Sequence, residues 1–247
     1  MTPFLLIFCL QSTPLPCLQG LPALVPQAAA SSELTSASVL SKVQRFYERN
    51  KHLKAKFRQE VVNSTFGKST ISDGKVFIAK PGKMRWDFYG KKTRTRGRRV
   101  SRSFVSDGKG LFAVFHDTKQ VFVKDMENDL LPVAITFLHG SGNLARDFSS
   151  KIDTSGKYGS EGDVVLELTP KEAAAQYKHL WLVVARDNFR VKESIVLNAK
   201  DDINHFRFFE PNFSSPVNGS LFEVNHPEYE LVDRNAPAGR KRKRRKK

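Results

Sequence analysis

The chain has 247 residues, of which 40% are hydrophobic and 11% aromatic, including 19 Phe. This composition is typical of a folded domain with an apolar core and excludes a largely disordered protein. The formal net charge is +16, but residues 91–102 carry 7 of the cations and residues 240–247 carry 8. Subtracting these 15 charges leaves +1 for the rest of the chain, which argues against a nucleic-acid-binding domain.

The N-terminal segment, residues 1–30, has most features of a secretory signal peptide. It contains a short apolar run, a Pro-rich apolar stretch and three alanines at 28–30 that offer a small-residue cleavage site. Its prolines keep each apolar run below the roughly 20 residues that a bilayer span needs. Both cysteines, Cys9 and Cys17, lie in this segment. We therefore expect an exported mature protein that has no disulfide and no cysteine metal site.

Beyond this segment, the apolar pattern changes from helical to strand spacing near residue 50. One amphipathic helix is predicted by apolar residues at helical spacing, namely Val39, Leu40, Val43, Phe46 and Tyr47. Alternation of apolar and polar residues then predicts strands. These runs lie at 53–61, 75–80, 84–89, 103–106, 110–115, 121–124, 164–168, 179–185, 191–198, 204–209 and 221–224.

Turn-forming sequences separate many of these runs, which predicts an antiparallel meander. Turns are expected at Ser72-Asp73-Gly74, Pro81-Gly82, Ser106-Asp107-Gly108 and Asp201-Asp202. Residues 131–144 differ, because an early proline, an apolar stretch and two late glycines predict a short helix. We expect one strand-rich domain at 31–233, followed by a disordered polybasic tail at 234–247.

The sequence gives little support for catalysis. Its six histidines are scattered without metal-pair spacing, and it has no nucleophile elbow, phosphate-binding glycine loop or zinc-protease motif. The adjacent Asp201 and Asp202 are more typical of a solvated turn than of a carboxylate pair. We therefore expect no enzyme activity, no cofactor and no metal ion.

Large apolar side chains are the most informative feature. Met84, Trp86 and Phe88 occupy every second position of a predicted strand and therefore lie on one of its faces. Further rings lie on neighbouring elements, at Phe57, Phe77, Phe112, Phe115, Phe122, Phe137, Trp181, Phe206 and Phe208. Such residues form either an ordinary core or the lining of a cavity that suits acyl chains, and composition leaves both open.

Several separated motifs lie in a fixed order between about residues 39 and 232. Phe57-Arg58-Gln59 matches an opening F-x-Q strand, KPGKMRW at 80–86 matches R-P-G-x-x-R-W, and VSDGK at 105–109 matches a turn. A middle helix at 131–140, LELTPK at 166–171 and a closing strand at 222–227 follow. In order and spacing, these motifs resemble the LolA family of periplasmic outer-membrane lipoprotein carrier proteins.

The resemblance implies a mainly β (α+β) fold, an open or incomplete antiparallel β-barrel that is capped by helices and encloses a hydrophobic cavity. It implies a periplasmic carrier that binds the acyl chains of lipoproteins released from the inner membrane by an ABC transporter. An outer-membrane lipoprotein receptor would accept the cargo. We expect the ligand cavity to be lined by Phe57, Phe77, Met84, Trp86, Phe88, Phe112, Phe137 and Trp181.

The resemblance also assigns roles to Lys80 and Met84. The family has an arginine at the position of Lys80 that hydrogen-bonds to the lid, so Lys80 is expected to take part in gating. Met84 falls where the family contacts the inner-membrane release complex. The basic residues Arg94, Arg96, Arg98 and Arg99 are predicted to contact a partner or an anionic membrane, since such clusters gain roughly 1 kcal/mol per cation there. A solvated loop is the alternative for them.

Two other functions remain open from the sequence. The first is a protein of the same fold that binds a free lipid or glycolipid, or that senses a lipoprotein without carrying it. The second is a basic nucleic-acid-binding protein, which the nearly neutral body and the expected export disfavour.

Overall fold

The computed structural model describes residues 34–91, 97–124, 142–172 and 177–233, all within the compact unit that begins at Leu34. The elements of this part of the chain are α1 (Ser36–Arg49), β1 (His52–Asn63), β2 (Lys68–Ala79), β3 (Lys83–Tyr89), β4 (Val100–Asp107), β5 (Leu111–Phe115), β6 (Gln120–Lys124), α2 (Leu144–Asp147), β7 (Phe148–Ile152), β8 (Asp163–Pro170), β9 (Tyr177–Ala185), β10 (Val191–Asn198), β11 (Ile203–Asn212), the 3-10 helix η1 (Gly219–Phe222) and β12 (Glu230–Asp233).

These strands form one sheet in the order β12-β6-β5-β4-β3-β2-β1-β11-β10-β9-β8-β7. Neighbours in the sheet are antiparallel, apart from β12, which runs parallel to β6. The edge strands β12 and β7 do not pair with each other, so the described sheet is open. The predicted mainly β fold with an open antiparallel sheet is confirmed.

Helix α1 forms where the sequence predicts an amphipathic helix. Thr35 caps its start by accepting a hydrogen bond from the Ser38 backbone N–H at 3.2 Å. Asn50 ends it, because the Asn50 side chain donates to the Phe46 carbonyl at 2.7 Å. The apolar stripe of α1 is buried against the sheet, through Val39, Leu40, Val43 and Tyr47.

Both faces of the sheet carry clusters of buried apolar residues. We call the face that packs with α1 the inner face, and it carries the main core together with Trp86 and Leu182. The outer face carries two smaller clusters. Phe222 of η1 belongs to one of them, and Tyr158 covers the other around Val183. Because parts of the outer face are also covered, large apolar side chains occur on both faces.

Two predicted elements are wrong, and one lies mostly outside the described residues. Residues 72–74 form no turn, because β2 continues through them and the hairpin turn lies at 64–67. Residues 221–224 form no strand, because Asn218 caps η1 by accepting from the Ser220 backbone N–H at 3.1 Å. The closing strand is β12 instead. Of the predicted middle helix, residues 131–141 are outside the described residues.

Candidate ligand-binding face

Five rings meet on the inner face, and we call them the inner aromatic cluster: Phe57, Trp86, Phe88, Phe206 and Phe208. The Phe57 centroid lies 5.0 Å from those of Trp86 and Phe88, and the Phe206 centroid lies 5.6 Å from that of Trp86. Phe208 is partly buried and the other four are at most 5% exposed. Pairs of this geometry add about 0.5–1.5 kcal/mol each to the burial of their apolar surface.

Gly74 makes room for this cluster. In the sheet register, Gly74 lies between Phe57 on β1 and Phe88 on β3. A Cβ atom on Gly74 would lie 2.4 Å from Phe57 Cζ and 2.1 Å from the backbone oxygen of Asp87. Since no side chain fits there, the Phe57 ring crosses β2 over the glycine and reaches the rings of β3.

Helix α1 crosses the inner face and is fixed at both ends. At its start, the Ser36 hydroxyl donates to the Ser150 carbonyl on β7 at 2.9 Å. Near its end, the Tyr47 hydroxyl accepts from the Val191 backbone N–H at 3.1 Å, and burial raises the pKa of Tyr47. The Lys80 ammonium donates to the carbonyl of Tyr47. The residue predicted to take part in gating therefore contacts the C-terminal turn of α1.

Replacing Lys80 with methionine is expected to lower the free energy of unfolding by about 1 kcal/mol, because the last turn of α1 loses a charged donor. Burial lowers the pKa of Lys80, and the charge of Glu48 partly opposes this shift. Urea denaturation of Lys80→Met measures the loss. Lys83→Met is the matched control, since Lys83 is an exposed lysine three residues away. Equal stability of the two variants would contradict a role for Lys80 in holding α1.

The predicted lining residues do not all share one face. Phe57, Met84, Trp86 and Phe88 lie together in the inner core. Phe77 and Trp181 belong to the two outer clusters. Phe112 also faces outward, because its neighbour Ala113 pairs with Phe104, which in turn pairs with Trp86.

The structure therefore does not bring Phe77, Phe112 and Trp181 together with the inner residues, because successive strand residues point to opposite faces. Phe137 lies outside the described residues. Phe104, Phe206 and Phe208 were not assigned to the site from the sequence, although the alternation around Arg207 on β11 places Phe206 and Phe208 on one face.

Met84 is only 4% exposed, so a partner can reach its side chain only if its cover moves. Its role as a partner contact stays a prediction.

The basic tract is partly neutralised where the structure describes it. Arg98 and Arg58 both bind Asp73, at N···O distances of 2.6 and 2.7 Å, and these two arginines hold the pKa of Asp73 below its usual range. The Arg102 guanidinium lies 4.4 Å from the centroid of Phe88, at a cation–π distance. Of the residues predicted to contact a membrane, Arg99 is exposed. Arg94 and Arg96 lie outside the described residues.

A polar network lies on the outer face behind the cluster. Asp87 Oδ1 accepts from Arg85 Nε at 2.8 Å and from the Ser103 hydroxyl at 2.6 Å. Ser103 Oγ also lies 3.1 Å from His116 Nε2, and His116 Nδ1 lies 3.1 Å from the Tyr229 hydroxyl. Burial lowers the pKa of His116. Ser103 is 1% exposed, so this Ser–His pair is closed to a substrate and acts as a structural contact.

Two absences apply to the described residues, 34–91, 97–124, 142–172 and 177–233. Within these ranges, no three His, Cys, Asp or Glu side chains are grouped so that they could hold a metal ion. None of the helices in these ranges combines the length and apolarity needed to cross a membrane.

The described fold is thus mainly β: an open antiparallel sheet that carries a helix and an aromatic cluster on its inner face. Residues 48–225 match the family model described as outer membrane lipoprotein carrier protein LolA, and the chain belongs to this family.

Curated relatives carry the name outer-membrane lipoprotein carrier protein. That of Chromobacterium violaceum is 30% identical over 132 residues, which is 53% of this chain and 58% of the relative. The chain thus spans less than two thirds of that relative. That of Dechloromonas aromatica is 24% identical over 65% of this chain and 71% of the relative.

Among solved structures, a LolA superfamily protein from Nitrosomonas europaea is 13% identical and aligns over 78% of this chain and 99% of its own, with a TM-score of 0.42. An uncharacterized conserved protein from Thermus thermophilus is 11% identical and aligns over 80% of this chain and 98% of its own, with a TM-score of 0.49.

Proposed function

We propose that this protein binds the acyl chains of lipoproteins on the inner face of its sheet and carries them through the periplasm to the outer membrane. The inner aromatic cluster is the observation that carries the proposal. Burial of each methylene of an acyl chain against such a surface contributes about 0.8 kcal/mol. Membership of the LolA family and the names of its relatives support the same function.

In this proposal, residues 1–30 export the chain, and the mature protein receives its cargo from an inner-membrane lipoprotein-releasing ABC transporter. An outer-membrane receptor is the acceptor. The proposed activity is non-covalent transfer without catalysis or a cofactor. Arg99 and its basic neighbours are proposed to meet an anionic membrane surface, although Arg98 is already paired with Asp73.

Release of the cargo requires the cover of the inner face to move. The contact between the Lys80 ammonium and the Tyr47 carbonyl joins the end of β2 to the end of α1. We propose that Lys80 acts in gating through this contact. A lysine offers a single ammonium where the family has the planar fork of arginine, so it holds the helix through fewer donors.

Replacing Phe208 with glutamate is expected to weaken binding of a synthetic diacylated lipopeptide at least about tenfold, because it puts a charge on the apolar surface. Phe208 is partly buried and is therefore better able to accept a polar group than the fully buried Trp86. Binding is measured by fluorescence titration, with the folded fraction of each variant determined by circular dichroism.

Phe209→Glu is the matched control for this substitution. Phe209 is the next residue of β11, is 46% exposed, and lies outside the inner core. Its substitution should leave lipopeptide affinity within about twofold of the wild type, since an exposed charge costs little. If Phe208→Glu binds as well as Phe209→Glu while remaining folded, the inner face is not the acyl site.

Mass spectrometry of whatever co-purifies with the mature protein separates the carrier from the related lipid-binding function. Acylated protein is expected. A free lipid or glycolipid in its place would favour a protein of the same fold with a different cargo.

A further inference from the structure

The indole N–H of Trp86 is a buried donor that meets no acceptor among the residues that the structure describes. Trp86 is 0% exposed, and among the described residues no hydrogen-bond partner contacts its Nε1 atom. Buried indole N–H groups usually have a partner, because an unpaired buried donor has lost its water without compensation. An unpaired N–H in the middle of a buried apolar cluster therefore needs an explanation.

The described surroundings of Trp86 explain why its N–H meets no strong acceptor in this part of the chain. Its partners in the sheet register are Val76 and Phe104. The rings nearest to it are Phe57, Phe206 and Phe208, at centroid distances of 5.0, 5.6 and 6.2 Å. None of these described neighbours has a polar side chain. Aromatic faces accept hydrogen bonds only weakly, so these side chains offer the N–H no strong acceptor.

We propose that Trp86 Nε1 donates a hydrogen bond to a carbonyl oxygen of the bound ligand, and that the site thereby selects acyl chains over plain alkyl chains. This inference rests on the proposed function and adds a chemical requirement to it. Burial of hydrocarbon alone does not distinguish a fatty acyl ester or amide from an ether of equal length. A buried donor that points at the carbonyl position does, because the ether has a methylene group there and leaves the donor unpaired.

The test compares two diglyceride-modified cysteine peptides that differ only in their linkage. One carries its two chains as esters, and the other carries chains of equal length as ethers. The wild type is expected to bind the diester about tenfold more tightly than the diether, which corresponds to about 1.4 kcal/mol. Trp86→Phe should bind the two ligands equally, because it keeps an aromatic ring and loses the donor.

Trp181→Phe is the control, because Trp181 is the other tryptophan of the chain and lies on the outer face. This variant should keep the wild-type preference for the diester. Nuclear magnetic resonance of isotope-labelled indole groups gives a readout that does not depend on the stability of a variant. The Trp86 N–H signal of the wild type should shift downfield with the diester and not with the diether.

The outcomes separate this inference from the proposed function. If the wild type binds both ligands with equal affinity, or if Trp86→Phe keeps the ester preference, the hydrogen bond is overturned while acyl binding stands. If neither ligand binds to the folded wild type, the proposed function itself is wrong.

Discussion

Gly74→Ala is expected to lower the free energy of unfolding by roughly 3 kcal/mol, at the upper end of the cost of overpacking a core. The added Cβ would lie 2.4 Å from Phe57 Cζ and 2.1 Å from the Asp87 backbone oxygen. The first contact displaces a ring and the second displaces the backbone of β3. Because β3 carries Trp86 and Phe88, lipopeptide binding should fall together with stability. Urea denaturation and lipopeptide titration measure the two effects.

A double-mutant cycle with Phe57→Ala tests the cause of this loss. Phe57→Ala alone should cost about 3–5 kcal/mol, as is usual for removing a buried phenylalanine side chain. Gly74→Ala should cost less in the Phe57→Ala background than in the wild type, since the ring is absent and only the backbone contact remains. Additive costs would show that the glycine does not serve the ring.

Gly219→Ala is the matched control for the glycine substitution. Nothing lies within 4 Å of a Cβ atom built on Gly219, and this glycine opens the exposed start of η1. Its substitution should change the free energy of unfolding by less than about 0.5 kcal/mol. Replacing glycine with alanine lowers the backbone entropy of the unfolded chain and by itself favours folding. A large loss at both glycines would therefore point to backbone conformations that alanine does not adopt, in place of the predicted steric conflict.

The sequence predicts most of the strands because a period of two residues is a local property. Met84, Trp86 and Phe88 were correctly placed on one strand face from their spacing alone. Gly74 was misplaced for the same local reason. Ser72-Asp73-Gly74 has the composition of a turn, but β1 extends far enough to pair with residues 68–79 on both sides of the glycine. Only the pairing register shows that Gly74 lies opposite Phe57.

The composition of the candidate site was harder to predict than the fold. Alternation tells which residues of one strand share a face, but it does not tell which faces of two strands coincide. Phe77 and Trp181 were grouped with Trp86 because all three have large rings. Ring size does not distinguish the two faces, because η1 and Tyr158 cover parts of the outer face, which therefore also buries large rings. The aliphatic residues beside them, Val76 and Leu182, are the ones that face inward.

Asp87→Ala is expected to lower the free energy of unfolding by roughly 3 kcal/mol, because it leaves a largely buried arginine without its counter-charge. The side chains of Arg85 and Asp87 are 17% and 12% exposed. Arg85 Nη1 also donates to the Leu221 carbonyl at 3.1 Å, so the pair joins β3 to η1. Loss of Asp87 should therefore loosen η1 as well, which limited proteolysis detects as earlier cleavage near Leu221.

The double variant Arg85→Met, Asp87→Leu separates the cost of an unpaired charge from the worth of the pair. Replacing both partners with apolar residues of similar size is often nearly neutral, so the double variant should be more stable than Asp87→Ala. If it is less stable, the network contributes through its hydrogen bonds to Ser103 and Leu221 more than through charge.

Lipopeptide binding then distinguishes the two faces of the sheet. Asp87 lies on the outer face. The lipopeptide affinity of the Asp87→Ala variant should therefore equal that of the wild type once it is corrected for the fraction of unfolded protein. Phe208→Glu acts on the inner face, and its loss of affinity should survive the same correction. A persistent binding defect in folded Asp87→Ala would mean that the outer network sets the shape of the inner face, because Asp87 lies between Trp86 and Phe88 on β3.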